Sequence, residues 1–191
     1  MKPERLNALT DGVVAIVLTI MVLELKFPEE ATFGAVLAVL PLLAAYLLAF
    51  INVALYWNNH HHMMQSARKV TGGVLWANHA LLFWMTLFPL MIRWIDEAGV
   101  TAWPVASFGL VLIGAALSYR ILERALAAAE GEDSQVKKAV GRAGKEWLSL
   151  ALYVGGTLMA FASPYVSVAC YVVVAIIWII PDRRFERGLQ Q

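Results

Sequence analysis

The stretch Arg5-Leu-Asn-Ala-Leu-Thr-Asp-Gly-Val-Val-Ala-Ile-Val-Leu-Thr-Ile-Met-Val-Leu-Glu-Leu25 opens with Arg5 and Asp11, then runs apolar to Glu24 with one hydroxyl on the way, Thr19. A membrane-crossing helix needs about 20 mostly apolar residues, and this stretch supplies them. A helix that only anchors a protein has no need of the Thr19 hydroxyl. A helix that lines an ion path does.

Composition agrees with a membrane environment. The chain has 191 residues, of which 60% are hydrophobic and only 15% charged, with a mean hydropathy of +0.66. Soluble domains hold about 45–50% apolar and about 25% charged residues. The single cysteine, Cys170, excludes an intrachain disulfide. No small-residue cleavage site follows the first apolar run, so that run is expected to stay as a helix rather than leave as a signal peptide.

Six apolar segments are long enough to cross a bilayer, at about 6–25, 34–57, 71–93, 103–122, 147–163 and 165–181. The expectation is an all-α membrane protein: one transmembrane domain over residues 1–191, with six helices and one longer loop at about 123–146. Ser163-Pro164 marks a tight hairpin, because Pro164 cannot continue the fifth helix. Pro41 and Pro89 fall inside apolar runs, where neighbouring helices can re-satisfy the backbone. The two halves show no repeat of the kind found in many transporters.

The distribution of positive charge orients the chain. With the N-terminus in the cytoplasm, only Lys26 and Arg93 of the 15 Lys and Arg residues fall outside. This asymmetry follows the positive-inside rule and an even number of spans, with both termini cytoplasmic. Glu24, Glu29, Glu30, Asp96 and Glu97 gather at the outer face. They either solubilise loops or raise the local cation concentration at a pore mouth.

Within the first helix, Gly12, Ile16, Thr19 and Leu23 fall on one stripe, because steps of four, three and four keep one face. In a symmetric assembly each would become a ring: apolar at Ile16 and Leu23, hydroxyl at Thr19. Apolar rings can gate by dewetting, and oxygen rings replace part of an ion's hydration shell. The other reading is ordinary helix packing, with Thr19 bonded back to the Ala15 carbonyl. One chain has too little polar surface for an aqueous path, so the pore reading requires an oligomer. Arg5 and Asp11 point to different faces of the helix, and Asp11 sits about one turn inside the membrane boundary, where an unpaired charge is costly. Each needs a partner elsewhere. At the same level lie Tyr56-Trp57-Asn-Asn-His60-His61-His62 and Trp76-Ala-Asn78-His79. This places Arg5, Thr10, Asp11, His60, His61 and Asn78 in one candidate interhelical polar network.

Consecutive His60, His61 and His62 project about 100° apart on a helix and cannot share one ion, so no metal site is expected. The tryptophans near predicted helix ends fit an interfacial belt. Gly-x-Ser-x-Gly and His-Glu-x-x-His are absent, and no catalytic arrangement stands out, so an enzyme is not expected.

The opening Arg5-x-x-x-Leu9-Thr10-Asp11 resembles the Arg-x-x-x-Phe-Ser-Asp signature of the transmembrane protein 175 potassium channels. Tyr56-Trp57-x-x-His60-His61 is similar to that family's second-helix pattern, and Asn78 with Pro89 to its third helix. The resemblance covers the six-span layout and is most specific in the first three helices. It implies one six-helix unit per chain, a homotetramer, and a pore lined by the first helix without a carbonyl filter loop. It also implies an apolar constriction at Ile16, a contribution to selectivity from Thr19 and a further apolar ring at Leu23. Leu9 and Thr10 depart from the signature's Phe and Ser; Thr10 keeps the hydroxyl, whereas Leu9 loses an aromatic contact.

The expectation is therefore a passive, potassium-selective cation channel in the cell inner membrane. Its partners are copies of itself, the lipid bilayer and monovalent cations, not nucleic acid. It has no cofactor or metal beyond permeating potassium. The alternative is a proton channel or proton-coupled transporter relaying through Asp11, His60 and His79.

Overall fold

A computed structural model describes residues 3–26, 28–65, 67–130 and 144–179. Among these residues the fold is entirely helical: α1 (Pro3–Leu23), α2 (Phe33–Gln65), α3 (Gly72–Thr86), α4 (Phe88–Ala98), α5 (Ala102–Glu130), α6 (Gly144–Met159) and α7 (Pro164–Ile179). Four stretches are long and apolar enough to cross a membrane: Pro3–Leu23, Phe33–Gln65, Gly72–Ala98 and Ala102–Glu130. The α7 helix is apolar but shorter, and it pairs with α6 as a hairpin.

Local chemistry sets the helix ends. The Thr32 hydroxyl accepts from the Ala35 N–H at 3.1 Å and starts α2. Thr71 caps α3 in the same way, accepting from the Val74 N–H at 3.4 Å. Gly99 ends α4 at φ 73°, a conformation that a residue with a Cβ adopts at a cost. The span expected at 71–93 is in fact two helices. Pro89 has no N–H to donate back along the chain, so the helix tightens at Leu87 and restarts with the proline in its first turn.

Two expected helix ends are corrected. The α2 helix continues past 57 to Gln65, and α5 past 122 to Glu130. Hydropathy marks where an apolar run stops, not where backbone hydrogen bonding stops. The polar turns persist because their side chains find partners. Asn59 Nδ2 donates to the Leu55 carbonyl at 2.8 Å, and Gln65 Nε2 to His61 Nε2 at 2.8 Å. The Glu130 carboxylate accepts from the backbone N–H groups of Arg68 and Lys69, tying the end of α5 to the α2–α3 connection. Much of the loop expected at 123–146 is therefore helix, and its centre, 131–143, lies outside the described residues.

The α5 helix is the hub, packing on α3, α4, α6 and α7, while α1 lies against α2, α3 and α4. Close approach depends on small residues. A Cβ on Gly114 would stand 2.2 Å from the Trp84 ring, and one on Gly109 2.0 Å from the Tyr171 hydroxyl. Large apolar side chains such as Phe33, Trp76 and Trp103 stay exposed, as expected for surfaces that meet lipid rather than water.

Candidate functional site

The α1 helix has two distinct faces. Leu6, Thr10, Val14, Val17 and Met21 are buried against the rest of the chain. Gly12, Ile16, Thr19 and Leu23 are exposed, Ile16 at 59% and Leu23 at 78%. At 3.6 residues per turn the centres of the two stripes lie roughly 150° apart around the helix axis. A single copy of the chain thus covers one side of α1 and leaves the Ile16–Thr19–Leu23 side uncovered.

Thr19 carries a further constraint. Its hydroxyl donates back to the carbonyls of Ala15 at 3.0 Å and Ile16 at 2.9 Å. The sequence leaves a packing role and an ion-facing role open; the geometry shows that the proton is occupied by the helix backbone. The oxygen lone pairs remain on an exposed side chain. Thr19 therefore presents an acceptor outward, which suits a cation and not an anion.

The buried face of α1 is fixed by a polar cluster. Asn78, fully buried on α3, donates through Nδ2 to Thr10 Oγ1 at 3.1 Å. His60 on α2 donates through Nε2 to Asn78 Oδ1 at 2.8 Å. Thr10 donates to the Leu6 carbonyl at 3.0 Å. One chain of hydrogen bonds thereby links α1, α2 and α3. Each buried polar group in it has a partner, which the low dielectric of the interior makes necessary.

The other residues expected in this network sit apart from it. Asp11 is exposed and accepts from Trp57 Nε1 at 2.7 Å. His61 lies on the neighbouring face of α2, stacked on Trp57 with ring centroids 5.6 Å apart and bonded to Gln65. Arg5 is exposed at the start of α1, outside the Thr10–Asn78–His60 cluster. His79 donates to the carbonyl of Leu75 on its own helix at 2.6 Å. Among the described residues, no group of three or more His, Cys, Asp or Glu side chains could hold a metal ion.

Sequence reasoning missed two contributors. Trp57, quoted only as part of a pattern, is the donor to Asp11; the signal was an indole N–H within reach of a carboxylate in need of one. Arg120 and Glu146 form a buried ion pair joining α5 to α6, and the Arg120 guanidinium lies 5.3 Å from the centre of the Trp147 ring. The signal there was one charge of each sign at facing ends of two apolar segments. At the opposite end, Arg93 bonds Glu97 at 3.0 Å and approaches Glu24 at 4.0 Å, linking the end of α1 to α4.

Comparison with known proteins places this architecture. Residues 5–89 match the family described as the endosomal/lysosomal potassium channel TMEM175. A potassium channel from Chryseobacterium sp. is 46% identical over 187 residues, covering 98% of this chain and 97% of its own. A potassium channel from Streptomyces collinus is 26% identical over 62% of this chain and 61% of its own. The fold is similar to the crystal structure of a lysosomal potassium-selective channel TMEM175 homolog from Chamaesiphon minutus. That match has a TM-score of 0.81 and 22% identity, covering 93% of this chain and 96% of the other. With α1 and its polar anchor inside the matched segment and 46% identity along nearly the whole length of a relative, the chain belongs to the TMEM175 potassium channel family.

Proposed function

We propose that this chain is the subunit of a passive, potassium-selective cation channel in which four copies surround a pore lined by α1. The observation that carries the reading is the two-sidedness of α1. Its inner face is locked by Thr10, His60 and Asn78, while Ile16, Thr19 and Leu23 form an uncovered stripe along its length. Around a symmetry axis that stripe becomes three rings. The Ile16 ring is the constriction, Thr19 supplies oxygen acceptors just beyond it, and Leu23 forms a second apolar ring.

Potassium loses part of its water at Ile16 and regains oxygen contacts at Thr19. An apolar ring compensates dehydration poorly, so conductance is low and selectivity modest. Potassium favours this pore over sodium because its hydration shell is the cheaper of the two to strip. The channel sits in the cell inner membrane with both termini cytoplasmic, as the Lys and Arg asymmetry supports. That orientation puts the acids near the end of α1 at the outer mouth, where they concentrate cations. Proton relay finds no support in the geometry. Asp11 is held by an indole rather than a histidine, and His79 bonds within its own helix.

The test is a liposome flux assay on purified protein with potassium, sodium and caesium gradients. Potassium flux in excess of sodium, raised by Ile16→Asn through wetting of the constriction, supports the reading. No flux, or an Ile16→Asn variant indistinguishable from the native chain, refutes it.

A further inference from the structure

Four helices close a ring around an apolar cavity. The α2 helix packs on α4 and α7, and α5 packs on the same two helices, while α2 and α5 make little direct contact across the middle. Helices are cylinders about 10–12 Å wide, so a ring of four leaves space at its centre unless large side chains fill it. Here the facing residues are small. The α2 helix contributes Ala44 and Ala45, and Val105 of α5 and Val168 of α7 stand across from them. A cavity of about 130 Å³ remains, with the Phe108 ring in its wall and Tyr165 beside it. Ala44 and Tyr165 are exposed, so the cavity has an entrance from the bilayer at that edge.

The lining decides the occupant. A buried water needs two to four polar partners, and Tyr165, exposed at the entrance, is the one lining residue with a polar side chain. Walls that face empty space lose their dispersion contacts, and an apolar guest restores them. Lipid tails are as apolar as the wall, so the gain is contact rather than escape from water, and it goes to the molecule that fits. An apolar cavity of roughly 150 Å³ takes benzene or xenon, which sets the limit here at about the size of benzene. A lipid tail fits only a few of its methylenes, and holding those orders the rest of the chain. A rigid ring has no such freedom to lose. The Phe108 ring is itself fixed, T-shaped to Phe88 with centroids 5.7 Å apart and 6.0 Å from Tyr171, so it presents a preset face or edge to another ring. We propose that this cavity binds a small, rigid, uncharged aromatic molecule of about benzene's size, drawn from the hydrocarbon of the bilayer.

The site shares no residue with the exposed stripe of α1 or with the Thr10–Asn78–His60 cluster, so it does not rest on the conduction reading. A chain that binds the aromatic probe and passes no potassium would keep this proposal and refute that reading.

The experiment is fluorine NMR of fluorobenzene added to the purified full chain in nanodiscs, with empty nanodiscs as reference. A resonance distinct from that of lipid-dissolved probe is expected, saturating at one per chain and displaced by benzene. Ala45→Leu, which extends a branched side chain into the cavity, should lower the bound signal at least fivefold. Ala45→Val, a smaller intrusion at the same place, should lower it partly. Monodisperse elution and a melting midpoint no lower than that of the native chain establish that each variant is folded. Crystals of the full chain soaked in iodobenzene should show the iodine between Ala45, Phe108 and Val168. Absence of a bound resonance in nanodiscs overturns the proposal, and is the result expected if a lipid tail fills the cavity instead. Undiminished signal in folded Ala45→Leu, or iodine found only outside the ring of four helices, overturns it as well. Should Ala45→Leu fail to fold, Ala45→Val and the iodine position decide the matter.

Discussion

Replacing Asn78 with Leu removes the residue on which α1, α2 and α3 converge. Asn78 is fully buried and makes two good hydrogen bonds, to Thr10 at 3.1 Å and from His60 at 2.8 Å. Interhelical hydrogen bonds in membrane proteins contribute about 0.6 kcal/mol each on average. Leucine fills nearly the same volume, so cavity formation adds little. The larger cost is the orphaned N–H of His60, only 2% exposed, since an unsatisfied buried donor costs about 1–3 kcal/mol. Thr10 is spared, because its hydroxyl still donates to Leu6. The expected loss is about 2–4 kcal/mol, read by reversible unfolding of purified protein in mixed micelles. A double-mutant cycle isolates the coupling: His60→Leu in the Asn78→Leu background should restore part of the loss, because the orphaned donor is then gone. Strict additivity of the two substitutions, or a loss below about 0.5 kcal/mol, would refute the reasoning that this cluster anchors α1.

Other substitutions test separate parts of the structure. Thr19→Val deletes an exposed hydroxyl, so the fold should be unchanged, while an oxygen contact to a partly dehydrated ion is lost. At about 1 kcal/mol this corresponds to roughly a fivefold fall in potassium over sodium permeability under bi-ionic conditions, and an unmoved reversal potential would exclude Thr19 from selectivity. Gly114→Ala drives a methyl group to within 2.2 Å of the Trp84 ring and should cost about 1–3 kcal/mol of stability, with partial rescue by Trp84→Leu; no loss would mean that α3 and α5 separate freely. Trp57→Phe keeps an aromatic ring against His61 but removes the N–H donated to Asp11. Because Asp11 is exposed and water replaces the donor, thermal unfolding should show a loss under about 1 kcal/mol.

The sequence made some levels of this structure legible and hid others, for physical reasons. Apolar length marks a span whatever it packs against, so the cores of α1, α2, α3 and α5 could be placed from residues alone. The ends could not, because a helix leaves the apolar layer without leaving helical geometry when side chains such as Asn59 and Gln65 bond one turn back. The step at Leu87 was hidden for a related reason: Pro89 changes the backbone without changing hydropathy. In the first helix, periodicity separates the Ile16–Thr19–Leu23 stripe from its opposite face, yet it does not say which face the rest of the chain covers. Only packing decides that, and it buries Leu6, Val14, Val17 and Met21. Polar partners are least legible of all. Asp11 with Trp57, and Arg120 with Glu146, are far apart in the chain and meet through tertiary geometry alone.

The most direct test asks which side of α1 meets water and ions. Cys170 is the only native cysteine, so Cys170→Ala followed by Ile16→Cys or Val17→Cys yields channels with a single thiol one helical step apart. A charged, membrane-impermeant thiol reagent should abolish potassium flux through the Ile16→Cys protein in liposomes and leave the Val17→Cys protein conducting, since Val17 is 3% exposed. Unaltered flux in the treated Ile16→Cys protein, with its thiol reacting only with a lipid-soluble maleimide, would put Ile16 against the bilayer and remove the pore.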